Sequence, residues 1–432
     1  MHFDLIEAAQ SLLNKFQNIG YSAYIAGGTV RELVMHELPA AYTIVTDAPR
    51  EIIKRLFRKS IDDYNKKECI TAIEKKTAFD IYCVTDKYPT IDSLLSGFDF
   101  TVNSMAYNPQ SGLHDPFGGM DDIKSGIIKF TSLSYDGILQ KPIRLLRAVR
   151  YCAQLGFGLS DETEREIKRL ALLIRKAENN RVREELDKIL MSQNPGVFIK
   201  IHELGLLKYI LPELDVCFYV PQKNKYHIYN VGEHIITAVT KSPNDPAIRW
   251  AALLHDIGKP ECKSTDSNGI IHFYGHHRES VRLAGDIMRR LRMDSQLAHD
   301  ILVLIENHDV RIEPTPVSVK RMMSRTGAEL FEKLIELQEA DNAAKNPKYL
   351  SDKLSKLNDA KKIYQKVTAE RHPYKINDLA VNGRDLNKLG FRPGHEIGDT
   401  LQMLLEEVFI DPGLNTREYL LSRARKYKRK RN

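Results

Sequence analysis

At 432 residues the chain is long enough for two to four domains with an ample buried core. A hydrophobic share of 42% excludes a disordered or fibrous chain, and no run of about 18 apolar residues offers a membrane-spanning helix. The formal net charge of +7 suits a polyanionic partner, and five scattered cysteines without a C-x-x-C pair argue against a disulfide or zinc framework. With no basic-then-apolar pattern at the N-terminus, the expectation is a cytoplasmic protein that does not engage a membrane.

In chain order, residues 3–19 predict an amphipathic helix with Leu5, Ala8, Leu12, Leu13 and Phe16 on one face. Tyr24–Ala26 can end a buried strand. Gly27 and Gly28 then let the backbone turn sharply and approach a ligand. Arg31 lies one helical turn on, where a guanidinium can meet a phosphate. After a short helix and a break at Pro39, Tyr42–Thr46 predicts a second strand. Two carboxylates at i and i+2 here would share one face and hold Mg²⁺ ions for phosphoryl transfer. Those positions are Ala41 and Thr43. Pro49–Lys59 predicts a helix and Thr77–Val84 a strand carrying Asp80. Phe98–Tyr107 and Asp115–Asp122 follow, reading F-D-F-T-V-N-S-M-A-Y and D-P-F-G-G-M-D-D.

This text resembles the bacterial tRNA nucleotidyltransferase (CCA-adding enzyme) and poly(A) polymerase family. The shared text is G-G-T-V-R-E, the strand pair, Asp99, Phe100, Thr101, Asn103, Asp115, Gly118 and Gly119. The resemblance implies a nucleotidyltransferase head in which Gly27, Gly28 and Arg31 bind nucleotide. Asp80 corresponds to the third acid of its metal site. Several of the family's positions differ in this chain. The Asp-x-Asp pair falls on Ala41 and Thr43, the arginine after the third acid on Val84, and the arginine pair before Asp99 on Gly97 and Phe98. One carboxylate is a poor substitute for three, so Mg²⁺ in this head is not the expectation. Asp99 and Asn103 have a structural alternative as turn and cap residues.

Residues 140–151 predict one helix keeping Arg144, Arg147 and Arg150 at i, i+3 and i+6. By resemblance it is the helix that reads the incoming base, but the family's Glu-Asp is Gln140-Lys141, and lysine cannot accept a hydrogen bond. The three arginines remain either phosphate ligands or a solvated helix face. Arg181–Leu186 and Glu203–Leu214 match the helical neck that follows in the family.

Beyond residue 216 histidines concentrate. His234 lies in G-E-H, and His255-Asp256 closes the apolar run Trp250–Pro260. His276 lies in F-Y-G-H-H, His308 in I-E-N-H-D and Asp341 in E-A-D-N-A-A. This order resembles the HD superfamily of metal-dependent phosphohydrolases. It implies a divalent ion (Mn, Fe, Ni, Co, Zn or Mg) held by His234, His255, Asp256 and Asp341, with His276 and His308 as further ligands or a second site. His255 and Asp256 would carry the chemistry and Lys259 would steady a phosphate. His227, His272, His277 and His299 are expected at the surface or behind the ligands. Pro347–Thr368 is lysine-rich and helical. Asp378–Gly398 matches the family's tail, with Gly383 and Gly390 read as turns, and Arg423–Arg431 is strongly basic.

The expected organisation is α+β: a nucleotidyltransferase-type head with a mixed sheet over 1–124, then all-α parts. These are a neck over 125–215, an HD-like domain over 216–345 and a tail over 346–432. Three functions stay open. The first is hydrolysis of phosphoesters (a 2′,3′-cyclic phosphate, a nucleotide or an RNA end) by the histidine-rich part, with a head that has lost its metal pair. The second is active CCA addition. The third is tRNA or other RNA binding without turnover.

Overall fold

The computed structural model describes residues 5–57, 60–61, 69–131, 135–222, 226 and 228–431. His227 lies outside them, as do the ends of the helices expected over 3–19 and Pro49–Lys59. The fold is α+β and forms two compact units, Met1–Ile189 with Lys200–Ile210 and Leu190–Ile199 with Leu211–Asn432.

The first unit is built on a seven-stranded sheet. Its strands are β1 (Ala23–Ala26), β2 (Tyr42–Thr46), β3 (Ser60–Ile61), β4 (Cys69–Glu74), β5 (Thr77–Cys83), β6 (Ala106–Asn108) and β7 (Gly112–His114), in the order β3-β4-β5-β2-β1-β6-β7. Only β2 and β5 run parallel, and their register sets Thr43 opposite Asp80. The Glu7–Gln17 helix buries Ala8, Ala9, Leu12, Leu13 and Phe16 in the same core as Ile25, Ile44 and Phe79. Full burial of one such large apolar side chain is worth about 1.5–3 kcal/mol, so this face rather than propensity holds an 11-residue helix. Gly27 turns the chain at φ +71°, which a residue with a Cβ adopts only under strain, and the Gly28–Val34 helix starts at once.

The D-P-F-G-G stretch is a built corner. Asp115 Oδ1 and Oδ2 accept from the Gly119 and Met120 amides at 2.8 and 2.9 Å. A Cβ on Gly119 would lie 2.4 Å from the Thr101 carbonyl oxygen. The single helix expected over 140–151 is instead two, Tyr135–Gln140 and Arg144–Leu155. Pro142 offers no amide hydrogen and disfavours helical geometry at Lys141, so the chain breaks there.

The second unit is helical apart from one small hairpin, Ser264–Thr265 with Ile271–His272. Its centre is the Pro246–Leu254 helix, in which every residue from Ala247 to Leu254 is buried. Asp245 caps it and Pro246 occupies the first turn, where a missing N–H costs nothing. A helix apolar all round needs neighbours on all sides. The helices Val231–Lys241, Ser295–Asn307 and Ala328–Ala343 pack on it, and His276–Arg290 packs on Ser295–Asn307. Gly383 is not a turn: it opens the Gly383–Lys388 helix behind the Asn382 cap, whereas Gly390 turns at φ +84°. The basic C-terminus is the Arg417–Arg431 helix, anchored where Arg423 and Tyr427 bond Glu407 and Lys428 Nζ donates to the Leu389 carbonyl at 2.9 Å.

Candidate functional site

In the first unit, Gly27 and Gly28 sit at the end of β1, facing β2 and the 97–103 segment. Thr43 and Ala41 bring no charge. The Thr29 hydroxyl accepts from the Thr43 amide at 2.9 Å and donates to the Ala41 carbonyl at 2.9 Å. Asp80 accepts from the Thr71 hydroxyl at 2.6 Å. The Phe98 ring packs 5.6 Å from Tyr82, and a Cβ on Gly27 would lie 3.3 Å from it.

The arginines expected to meet phosphate are already paired. Arg31 is buried, with one Nη donating to Asn103 Oδ1 at 2.5 Å and the other to Glu32 at 2.7 Å. Arg144 donates to Asp99 at 2.5 Å and to the Gly97 carbonyl at 2.8 Å, and Arg147 bonds the other Asp99 oxygen. Arg150 is buried against Glu185 at 2.5 Å, so these arginines form neither a solvated face nor a free phosphate clamp. Burial alone would raise the Asp99 carboxyl, but Arg147 and Arg144 overcome it and hold it below its ordinary value. A cavity of about 230 Å³ remains beside Gly28, Tyr82, Phe98, Asp99, Arg147 and Tyr151.

In the second unit, six ligand candidates from five helices meet at one buried point. His234 lies inside Val231–Lys241, and His255 and Asp256 directly after Pro246–Leu254. His276 opens His276–Arg290, His308 closes Ser295–Asn307, and Asp341 is near the end of Ala328–Ala343. His234 Nε2 lies 3.3 Å from Asp256 Oδ2 and 3.0 Å from Asp341 Oδ1. His255 Nε2 lies 3.1 Å from Asp256 Oδ2 and 3.6 Å from Asp341 Oδ1. His276 Nε2 and His308 Nε2 lie 3.3 and 3.8 Å from Asp256 Oδ1. The sets His234–His255–Asp341 and His255–Asp256–His308 each place one ligand atom per residue within 4.8 Å of the others.

The opposite ring nitrogens decide what this cluster suits. Each Nδ1 faces a backbone carbonyl: His234 that of Ala344 at 3.2 Å, His255 that of Ala252 at 2.8 Å, His276 that of Phe273 at 2.9 Å, His308 that of Ile305 at 2.7 Å. A carbonyl only accepts, so Nδ1 carries a proton, and each ring in its neutral form turns its Nε2 lone pair inward. Lone pairs facing carboxylate oxygens repel unless a cation or extra protons lie between them. This donor set and orientation fit a divalent transition metal. Burial would lower the His255 imidazole, but Asp256 and Asp341 outweigh it and raise it to about 9. His308 is pushed down to about 3, first by burial and then by the His255 charge. Burial would raise Asp256 and Asp341. Facing His255 and Lys259 for the first, and Lys345 and His234 for the second, hold both well below the carboxylate range.

Lys259 lines the cleft that runs past Phe273, but its charge is already engaged. Its Nζ is buried, 2.6 Å from Asp256 Oδ2 and 2.8 Å from Gln222 Oε1, so its charge steadies a ligand carboxylate rather than an incoming phosphate. His272 stacks on Tyr274 at the surface, His277 is half-buried and His299 is exposed. Two clefts flank the cluster. One, of about 360 Å³, runs past Phe273, Tyr274 and His277. The other, of about 330 Å³, runs past Arg311, Lys353 and Lys356. His308, Asp309, Asp341 and Lys345 line both. Sequence reading missed Lys345, Lys353 and Lys356. The i,i+4 spacings Asp341–Lys345 and Asp352–Lys356 were a usable signal for two of them but not for Lys353.

The first unit is a mixed-sheet head continued by helices. The comparisons then place the chain in a family. Residues 23–129 match the poly A polymerase head domain, 156–218 the "Probable RNA and SrmB-binding site of polymerase A", and 273–424 tRNA nucleotidyltransferase domain 2. The A-adding tRNA nucleotidyltransferase of Deinococcus radiodurans is 30% identical over 332 residues, 74% of this chain and 75% of that protein. A multifunctional CCA protein of Chromobacterium violaceum is 28% identical over 330 residues, 69% of this chain and 78% of that protein. The chain belongs to the tRNA nucleotidyltransferase/poly(A) polymerase family. The fold is also that of the Bacillus stearothermophilus CCA-adding enzyme solved with CTP, at a TM-score of 0.72 and 20% identity over 98% of both chains. The Thermotoga maritima CCA-adding enzyme solved with tRNA aligns at 0.57 and 21% identity over 96% of this chain and 93% of that one. No helix among the described residues is long and apolar enough to cross a membrane.

Proposed function

We propose that this family member hydrolyses phosphoesters at the metal centre of the second unit and keeps the head as a scaffold for recognising nucleotide or tRNA in the cytoplasm. The observation that carries this reading is the set of four imidazoles, each turned inward by an Nδ1 bond to a backbone carbonyl onto two buried carboxylates. A divalent ion bound there would supply hydroxide near neutral pH and neutralise charge on the phosphoryl group. His234, His255, Asp256 and Asp341 would hold it, with His276 and His308 as further ligands. Lys259 and Lys345 orient the two carboxylates through ion pairs of 2.6 and 2.5 Å. In the hydrolysis, water oxygen bonds to phosphorus, the bond from phosphorus to the ester oxygen breaks, and that oxygen leaves with a proton. Substrates of the right class are 2′,3′-cyclic phosphates, nucleotides and RNA 3′ ends. We assign the parts as head 1–124, neck 125–215, HD-like domain 216–345 and tail 346–432.

The test is cleavage of 2′,3′-cyclic AMP and nucleotide monoesters with Mn²⁺, Ni²⁺, Co²⁺ or Mg²⁺. We expect turnover that chelator removes and that falls at least about 100-fold in His255→Ala. Metal-loaded protein with no turnover on any of them sinks the reading.

The relatives' names favour a second reading, nucleotide addition to tRNA, and they speak for it more directly than for hydrolysis. Against it stand Ala41, Thr43, Gly97, Phe98, Gln140 and Lys141, which leave Asp80 alone at the head's acid positions. Losing metals that supply several kcal/mol of charge stabilisation, at about 1.4 kcal/mol per tenfold, is enough to silence transfer. Incorporation of labelled ATP or CTP into tRNA lacking all or part of CCA, abolished by Asp80→Ala, would establish the second reading and overturn the scaffold role. Salt-sensitive tRNA binding without either turnover would leave a binding protein.

A further inference from the structure

The cleft past Lys353 is built differently from the one past Tyr274. Lys345, Lys353 and Lys356 converge on it from the end of Ala328–Ala343 and the first turns of Ser351–Ala369. Two of the three charges are spent: Lys345 pairs with Asp341 at 2.5 Å and Lys356 with Asp352 at 2.8 Å. Among the described residues no carboxylate pairs with Lys353. Lys353 is exposed in the cleft, with its Nζ 5.6 Å from the centroid of the Tyr226 ring; partial burial and then the Lys345 charge push its ammonium below its ordinary value. An arriving anion would meet a cation with no carboxylate bonded to it. Asn342 and Gln338 add neutral polar groups to the same wall. The cleft shares Asp341 and His308 with the metal cluster, so an anion here would neighbour whatever lies at the metal.

We propose that the Lys345–Lys353–Lys356 cleft is a second phosphate subsite, and that the ligand of this centre carries a phosphate adjacent to the one at the metal. A polynucleotide end and a nucleoside polyphosphate both have that chemistry. On the opposite side, the exposed Tyr274 ring, stacked on His272 with 5.2 Å between centroids, offers a face to a base. The proposal rests on the reading of the cluster as a hydrolytic metal centre for its meaning, but its test does not need turnover.

Binding is measured by calorimetry on the full chain with Mn²⁺ present. The ligands are AMP, ADP and a phosphorothioate-linked diadenosine bearing a 3′-phosphate. We expect ADP or the dinucleotide to bind at least about tenfold more tightly than AMP. The preference should shrink to about threefold or less in Lys353→Gln/Lys356→Gln. Lys362→Gln, on the same helix and paired with Asp359 away from the cleft, should keep it. Whichever of ADP and dinucleotide binds more tightly identifies the source of the second phosphate. Equal affinity for AMP and both larger ligands, or a preference that survives the double substitution, overturns the subsite. A lysine-dependent preference in metal-loaded protein that turns over neither 2′,3′-cyclic AMP nor nucleotide monoesters supports the subsite and overturns the hydrolytic reading.

Discussion

Asp99 shows how a residue's chemistry depends on what faces it. In sequence it is one acid in a family motif; in the structure it is the shared partner of Arg144 and Arg147. Removing one member of a buried ion cluster strands the others, so Asp99→Ala should cost about 3 kcal/mol in urea unfolding of the first unit at pH 7. The carboxyl is held below its ordinary value in the folded chain. Its contribution is therefore full above the unfolded value and is lost as pH falls through the folded one. The gap between wild type and variant should narrow below about pH 4, and a gap that widens there would contradict the pairing. Thr43 offers a complementary gain. Opposite Asp80 in register, Ala41→Asp/Thr43→Asp would crowd three carboxylates, which a cation relieves. Calorimetric Mg²⁺ titration of the variant should show affinity at least about tenfold above wild type.

Elements aim the candidate ligands of the second unit. His255 and His308 both lie one residue past a helix C-terminus, where their Nδ1 atoms reach carbonyls three residues back. Helix ends leave such carbonyls without intrahelical partners, so the fold supplies acceptors that orient ligands. Gly258 is the point where the turn after Asp256 meets the start of His276–Arg290. A Cβ there would lie 2.5 Å from the Ser280 amide nitrogen and 2.6 Å from the His276 carbonyl oxygen. Gly258→Ala should push that helix outward and take His276 with it. We expect a metal-affinity loss of about tenfold or more, read by competition with a chromogenic chelator. Unchanged affinity would show that His276 is not a ligand.

On the scale of the whole molecule, two compact units predict two calorimetric transitions. Among the described residues the candidate metal-ligand sets lie in the second unit, so its transition should respond to metal. At about 100 times the dissociation constant, a bound ion adds about 2.7 kcal/mol, or roughly 5–10 °C for a unit of this size. Adding EDTA should lower one transition by that amount and leave the other in place. If both stay put, the cluster does not hold an ion.

Local patterns were legible where one residue's chemistry settles the matter. The β2 strand, the Gly27 turn and the amphipathic first helix follow from periodicity and backbone sterics. The absence of carboxylates at Ala41 and Thr43 needs no coordinates, because no fold gives alanine or threonine a charge. Pro142 broke the single helix expected over 140–151, and Gly383 opened one, because capping by Asn382 outweighed glycine's bias to turns. The order His234, His255-Asp256, His276, His308 and Asp341 was readable as chemistry in waiting. The tertiary structure alone decided that these side chains meet, since they come from five helices spread over more than 100 residues, and that His234 is oriented by a carbonyl 110 residues away. It also decided that Arg144, Arg147, Arg150 and Lys259 are spent on carboxylates while Lys353 is not. A charge is free or neutralised according to what the fold packs against it, and sequence distance carries no record of that.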